Sequence, residues 1–192
     1  YDRDQGPVAY LESPPEPPAW LAVAALLWMG LGTALGTWIL GTAFGLTLAT
    51  CLVLSVLYSH PASRLKGRPG WDLIVNMVGY GAATTLAGLL AGKAAYLGLP
   101  LGACATTGPD LLAFPRADFP VVSGSILEQI GAATQGGRGW LVAAFALLFG
   151  SFYPDTQVYQ REEDQRRGDR TLTTRLGVRR ALGLGLVLGV LA

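Results

Sequence analysis

Three clusters of charged residues carry the chemistry this chain can perform. Asp2-Arg3-Asp4 opens it. Arg64-Leu65-Lys66 lies within YSHPASRLKGRPGW. Glu162-Glu163-Asp164 heads REEDQRRGDR, with Arg166, Arg167, Asp169 and Arg170 behind it. Carboxylates in two separate clusters, with Arg and Lys between them, suit a diphosphate held through divalent metal. Mg²⁺ is a hard ion that takes one or two carboxylates together with phosphate oxygens and water. Acids alone repel a polyanion; acids holding a metal attract it, and Arg and Lys bind the remaining oxygens. The candidate metal ligands are therefore Asp2, Asp4, Glu162, Glu163 and Asp164. Arg64, Lys66 and Arg170 are the candidate phosphate contacts. Asp2 and Asp4 stand about 200° apart on a helix, so both chelate one ion only from an extended turn.

The elements that must position these clusters are set by composition. Of 192 residues, 51% are hydrophobic and only 14% are charged, about half the usual share of Asp, Glu, Lys and Arg. The class is a membrane protein. A net charge of +1 offers no bulk attraction for nucleic acid. Two cysteines and one histidine exclude a disulfide framework, a zinc site and any multi-His metal centre. Pro17 to Ser63 holds no charge, a stretch too long for one span and right for two joined by a tight turn. The expected spans are 18–34 and 38–58, reversing near Leu35-Gly36-Thr37, then 73–92, 139–158 and a short run at 181–192. Residues 94–138, broken by Gly and Pro, read as an extramembrane or re-entrant loop. The fold class expected is an all-α, polytopic transmembrane bundle, with residues 1–192 forming one domain. The opening at Tyr1 and the apolar run ending at Ala192 lead us to expect an internal piece of a larger polytopic protein.

Span parity brings the clusters together. Two spans separate residues 1–17 from the 59–72 loop, and two more return 159–180 to that same side. Of the 14 basic residues, only Lys93, Arg116 and Arg138 fall opposite, so the crowded side is expected to be cytoplasmic. Plainer readings exist for each residue. Charges outside a span often form only a solvated, topology-setting face, and REEDQRRGDR can be an ordinary amphipathic stretch laced with i,i+3 and i,i+4 pairs. His60 reads as a loop residue and Asp72 as a helix N-cap. Asn76, one turn into a span, is expected to bond between helices and is a candidate substrate contact. Tyr58 stands with Trp20, Trp71, Trp140 and Tyr153 as interfacial belt, and is a second candidate substrate contact.

The order YDRD, then YSHPASRLK, then YQREEDQRRGDRTLTTRLG resembles the UbiA superfamily of intramembrane prenyltransferases over nearly the whole chain. EEDQRRGDRTLTTRLG looks like its second Asp-rich motif, and RLK like its basic loop between the motifs. The resemblance implies an all-α bundle of about nine spans around a central cavity. It also implies Mg²⁺-dependent transfer of a prenyl group from a prenyl diphosphate to a hydrophobic, usually aromatic, acceptor. Carried over residue by residue, Asp2 looks like the aspartate four places after the first motif's Asn, which would precede Tyr1. Gly6 stands where a further Asp is frequent, and Asp4 is its substitute. Asp164 falls on the second motif's last aspartate. Gln160 occupies the place of the aspartate one turn earlier, leaving Glu162 or Glu163 to supply a carboxylate. Asp2, Asp164, Arg64 and Lys66 are the catalytic residues so implied. The location implied is the plasma membrane of a bacterium, with the motif loops facing the cytoplasm. Two other classes compete: a non-enzymatic transporter or assembly factor, and transfer of another group, such as phosphoribosyl, to a lipid-linked phosphate.

Overall fold

A computed structural model of the chain describes residues 18–98 and 125–192. These residues are helical, with no strand among them. The helices are α1 (Trp20–Leu40), α2 (Thr42–Ser59), α3 (Trp71–Asn76), α4 (Thr84–Gly98), α5 (Ile126–Thr134), α6 (Arg138–Arg167), α7 (Leu172–Leu176) and α8 (Val178–Leu191). Leu65–Gly67 is a single 3₁₀ turn, and Met77–Ala83 is a π-helical segment joining α3 to α4. Four stretches are long and apolar enough to cross a membrane: Trp20–Leu40, Thr42–Ser59, Trp71–Gly92 and Arg138–Arg166. Large apolar side chains point outward along them, as in Leu27, Trp28 and Trp38 of α1. Such surface is costly in water and natural in lipid.

The expected reversal at Leu35-Gly36-Thr37 is corrected to Gly41. α1 runs unbroken to Leu40, and Gly41 makes the corner at φ 97°, ψ 170°, a backbone region open to glycine. Gly36 has a different task. A Cβ there would sit 2.5 Å from the Phe44 ring, so its lack of a side chain lets α1 approach α2. Thr37 folds its hydroxyl back onto Thr33 O at 2.7 Å and fills the space beside Gly45. Both residues therefore serve helix contact and leave the helix intact.

α6 is the central element. Its 30 residues give about 45 Å of helix, longer than the ~30 Å apolar core of a bilayer. Its last turns, carrying QREEDQRR, thus extend beyond the apolar layer. The π segment lies on one flank, where Gly81 meets the α6 backbone: a Cβ there would fall 2.5 Å from Ala146 Cα and 2.9 Å from Phe145 O. α8 lies on another, where Gly185 meets Ser151 O and Pro154. Gly81→Leu is expected to force α6 and the π segment apart and cost about 1–3 kcal/mol or more. A thermal melt in detergent checks it, and an unchanged midpoint would contradict this packing.

Two further expectations are revised. Within the 94–138 region, residues 99–124 lie outside the described residues, but 126–134 form α5 rather than loop. The Ser125 hydroxyl accepts the Glu128 amide at 3.3 Å while the Glu128 carboxylate accepts the Ser125 amide at 2.7 Å, a capping box. Gln129 then reaches across, accepting the Ala43 amide at 3.1 Å and donating to Thr42 Oγ1 at 3.2 Å. That ties α5 to the start of α2 beside a small core of Ala43, Leu90 and Ala133. The last run begins at Val178, earlier than 181, placing Arg179 and Arg180 exposed in the first turn of α8.

Candidate functional site: the charged end of the bundle

At the opposite end from that core, the 60–70 loop docks on the 164–174 segment. The loop leaves α2 through local bonds: His60 O accepts the Ser63 and Arg64 amides, and Ser63 Oγ donates to Leu57 O at 2.8 Å. Arg64 is left-handed, with φ 37° and ψ 53°. No other non-glycine described residue has positive φ. That conformation is uncommon for a side chain of this size, and the Arg64 guanidinium is held by Asp169, Nη2 donating to Oδ2 at 2.9 Å. Gly67 lies against the same carboxylate, where a Cβ would fall 2.5 Å from Oδ1. Its carbonyl accepts the Arg170 amide at 3.1 Å.

The partner segment is shaped by its own sequence. Gly168 ends α6 in a left-handed conformation, φ 73°, ψ 18°, and the Asp169 amide reaches back to Asp164 O at 2.8 Å. This glycine-based C-cap turns the chain sharply. Thr171 then caps α7, its Oγ1 accepting the Thr174 amide and donating to Asp164 Oδ2 at 3.2 Å.

Beneath this junction is a buried polar network anchored by Asp72. The N-cap of α3 is Gly70, so the expected N-cap role for Asp72 is corrected: it is the helix's second residue and wholly buried. Its Oδ1 accepts the Gly70 and Leu73 amides at 2.7 and 2.9 Å. Its Oδ2 accepts Gln157 Nε2 at 2.7 Å and the Leu172 amide at 2.9 Å. Gln157, also buried, accepts the Thr173 amide and hydroxyl through Oε1, and its Nε2 donates to Tyr153 OH at 2.9 Å. Tyr153 OH in turn sits 3.0 Å from Tyr58 OH. The chain of bonds therefore runs from the α7 amides through α6 to α2.

Several residues thereby change standing. Tyr58 and Tyr153 are half-buried and face each other within the bundle, whereas Trp20, Trp71 and Trp140 are exposed. Asn76 donates its amide at 2.8 Å to Asp72 O of its own helix, and its side chain also meets the Tyr58 hydroxyl across on α2. Tyr153→Phe removes the hydroxyl shared by Tyr58 and Gln157, with an expected cost of about 1–2 kcal/mol. Unfolding midpoints measure it, and a neutral substitution would show that the hydroxyl pair contributes nothing.

The acidic motif divides by face. Positions 153, 157, 161 and 164 recur at close to helical period on one side of α6, and Asp164 belongs to that side through its bond to Thr171. Glu162 does not: its side chain is 88% exposed and pairs with Arg166 at 3.9 Å. Glu163 is flanking and more covered, 4.0 Å from Arg166. Gln160 is exposed. Lys66 lies half-buried in the docked loop. Arg170 is exposed and, with Pro69, Gln165, Gly168, Asp169, Thr174 and Arg175, lines an open cavity of about 840 Å³. Asp2 and Asp4 lie outside the described residues. Among the described residues no three His, Cys, Asp or Glu side chains assemble as a metal group. Asp164, an inward hard-oxygen donor, fits part of a Mg²⁺ shell. Mg²⁺ ordinarily completes such a shell with phosphate oxygens, water and one more carboxylate.

Sequence reasoning overlooked Asp72 as an anchor, Gln157, and the Arg64–Asp169 pair. One signal was readable: Tyr153, Gln157, Arg161 and Asp164 form a polar stripe of helical period running out of an apolar span.

Fold and site together define an all-α bundle with four helices suited to crossing a membrane and its charge gathered at one end. No family model, curated protein or solved structure matches the chain.

Proposed function

We propose that this protein transfers a prenyl group from a prenyl diphosphate to a hydrophobic acceptor within the membrane, with Mg²⁺, in a UbiA-like bundle of about nine spans. The observation that carries this reading is the docking of the RLK loop on the GDR segment through Arg64–Asp169 and Gly67–Arg170. It brings Arg64, Lys66, Arg170 and Asp164 to one end of an apolar bundle, the arrangement a diphosphate with an apolar tail requires. The basic end faces the cytoplasm under the positive-inside rule, and a bacterial plasma membrane is the location that goes with it.

In this reading Asp164, with Glu163 and with Asp2 or Asp4, holds Mg²⁺, which supplies charge neutralisation on the diphosphate. Lys66, Arg64 and Arg170 bind its oxygens and stabilise the charge that develops as the allylic C–O bond breaks and its electron pair leaves with the diphosphate. The apolar helices keep water from the allylic cation. The acceptor's electron pair forms the new bond to carbon, and an aromatic acceptor then loses a proton. The Tyr58–Tyr153 pair and Asn76 lie deeper in the bundle, on the side from which an acceptor meets the reactive carbon.

The test is direct. Membranes containing the protein are incubated with radiolabelled geranylgeranyl diphosphate, with Mg²⁺ or with EDTA. Label is expected in a lipid-extractable product with Mg²⁺ alone. Product formed equally in EDTA contradicts the mechanism. One observation favours a second, non-enzymatic reading: Arg64 and Asp169 satisfy each other and serve loop docking without any ligand. That reading predicts that no labelled product forms under either condition.

A further inference from the structure

We infer that Arg161 is a phosphate-binding residue of this site, its guanidinium donating to oxygens of the diphosphate; the inference rests on the reading above. The observation is an orphan. Arg161 Nε is walled off from water and has no hydrogen-bond partner among the described residues. A guanidinium stays protonated at any pH a protein tolerates, so this donor cannot be silenced by losing its proton. Buried donors of charged groups are otherwise almost always satisfied, and an acceptor is therefore missing.

Position says which acceptor fits. Arg161 lies one turn beyond Gln157, which is locked to Asp72 and Thr173. It lies nearly one turn before Asp164, which holds Thr171. All three share one face of α6, the face that meets Asp72 of α3 and the 171–173 segment. The acids next to it in sequence are engaged elsewhere, Glu162 and Glu163 with Arg166, and Asp169 is held by Arg64. An Arg presenting Nε and one Nη together forms a fork matched to two oxygens of a phosphate. The neighbouring inward carboxylate, Asp164, is the candidate metal ligand. An oxyanion bridging Arg161 and a cation on Asp164 satisfies both at once.

The test is calorimetric titration of inorganic pyrophosphate, with Mg²⁺, into the protein in lipid nanodiscs, beside thermal melts with and without pyrophosphate. Arg161→Gln is expected to weaken binding by about tenfold or more, and Arg161→Lys, which keeps the charge but loses the fork, by a clear part of that. Ligand-free Arg161→Gln is expected to melt at or above the parent, because an orphan buried donor is gone, while its pyrophosphate-induced shift shrinks. Parental pyrophosphate affinity in both variants overturns the inference, as does a parent that does not bind pyrophosphate. A lowered ligand-free midpoint with an unchanged pyrophosphate shift also overturns it, marking Arg161 as a structural partner of a carboxylate such as Asp2. Prenyl transfer by the same preparations separates the two claims. A transferring parent whose Arg161→Lys variant keeps its KM for prenyl diphosphate removes the Arg161 role and leaves the function standing. Arg161-dependent pyrophosphate binding without transfer leaves the anion site standing and removes the prenyl reading.

Discussion

Asp72→Asn is expected to be among the most destabilising conservative changes in the chain, costing about 2–5 kcal/mol. Each Asp72 carboxylate oxygen accepts two N–H donors: the Gly70 and Leu73 amides on one, Gln157 Nε2 and the Leu172 amide on the other. The carboxamide of Asn has one oxygen and one NH₂. Whichever way it turns, two donors lose their acceptor and face another donor, in a position with no access to water. If Oδ1 is kept, the start of α3 survives while Gln157 and α7 are released, and with α7 goes the segment carrying Asp169 and Arg170. The loss should therefore register twice, as a lower unfolding midpoint and as faster tryptic cleavage at Arg170 and Arg175 in the folded protein. A parental midpoint with parental cleavage would show that the Asp72 bonds do not hold the α7 segment in place.

Asp164→Ala carries the largest expected effect on activity, a fall in transfer of about 10²–10³-fold. The Thr171 hydroxyl bond to the Asp164 carboxylate at 3.2 Å contributes about 1 kcal/mol to stability. Thr171→Val removes that same bond and leaves the carboxylate, so it reports what that bond contributes. The account requires that Asp164→Ala lose far more transfer than Thr171→Val. Glu162→Ala, on the exposed face of the same turn, should leave transfer near parental. Equal losses in Asp164→Ala and Thr171→Val would reduce Asp164 to a structural residue.

The spans and their parity were legible because hydropathy and charge report directly on what lipid tolerates. The meeting of Arg64-Leu65-Lys66 with the 164–170 segment followed from counting crossings, and the Arg64–Asp169 bond realises it. What could not be read depends on contacts distant in sequence. Gly36 and Gly41 look alike in a Gly- and Thr-rich hairpin; which one turns is decided by Phe44 packing against the first. The π segment at Met77–Ala83 has no periodic signature, and it brings Gly81 against α6. Asp72 looks like a helix-start acid because one of its oxygens serves that purpose. Its other oxygen is claimed by an amide 100 residues away. The outward turn of Glu162 was readable in principle, since it stands about 140° from Gln157 on the helix. Sequence alone did not say that Gln157 marks the inner face.

The central claim is that the acidic and basic clusters at the charged end converge on one metal–diphosphate ligand. The most direct measurement is electron paramagnetic resonance of Mn²⁺, replacing Mg²⁺, titrated into the purified protein with and without inorganic pyrophosphate. The account predicts that protein-bound Mn²⁺ appears when pyrophosphate is present and is lost in both Asp164→Ala and Lys66→Gln. Mn²⁺ binding indifferent to pyrophosphate, or surviving both substitutions, would contradict it.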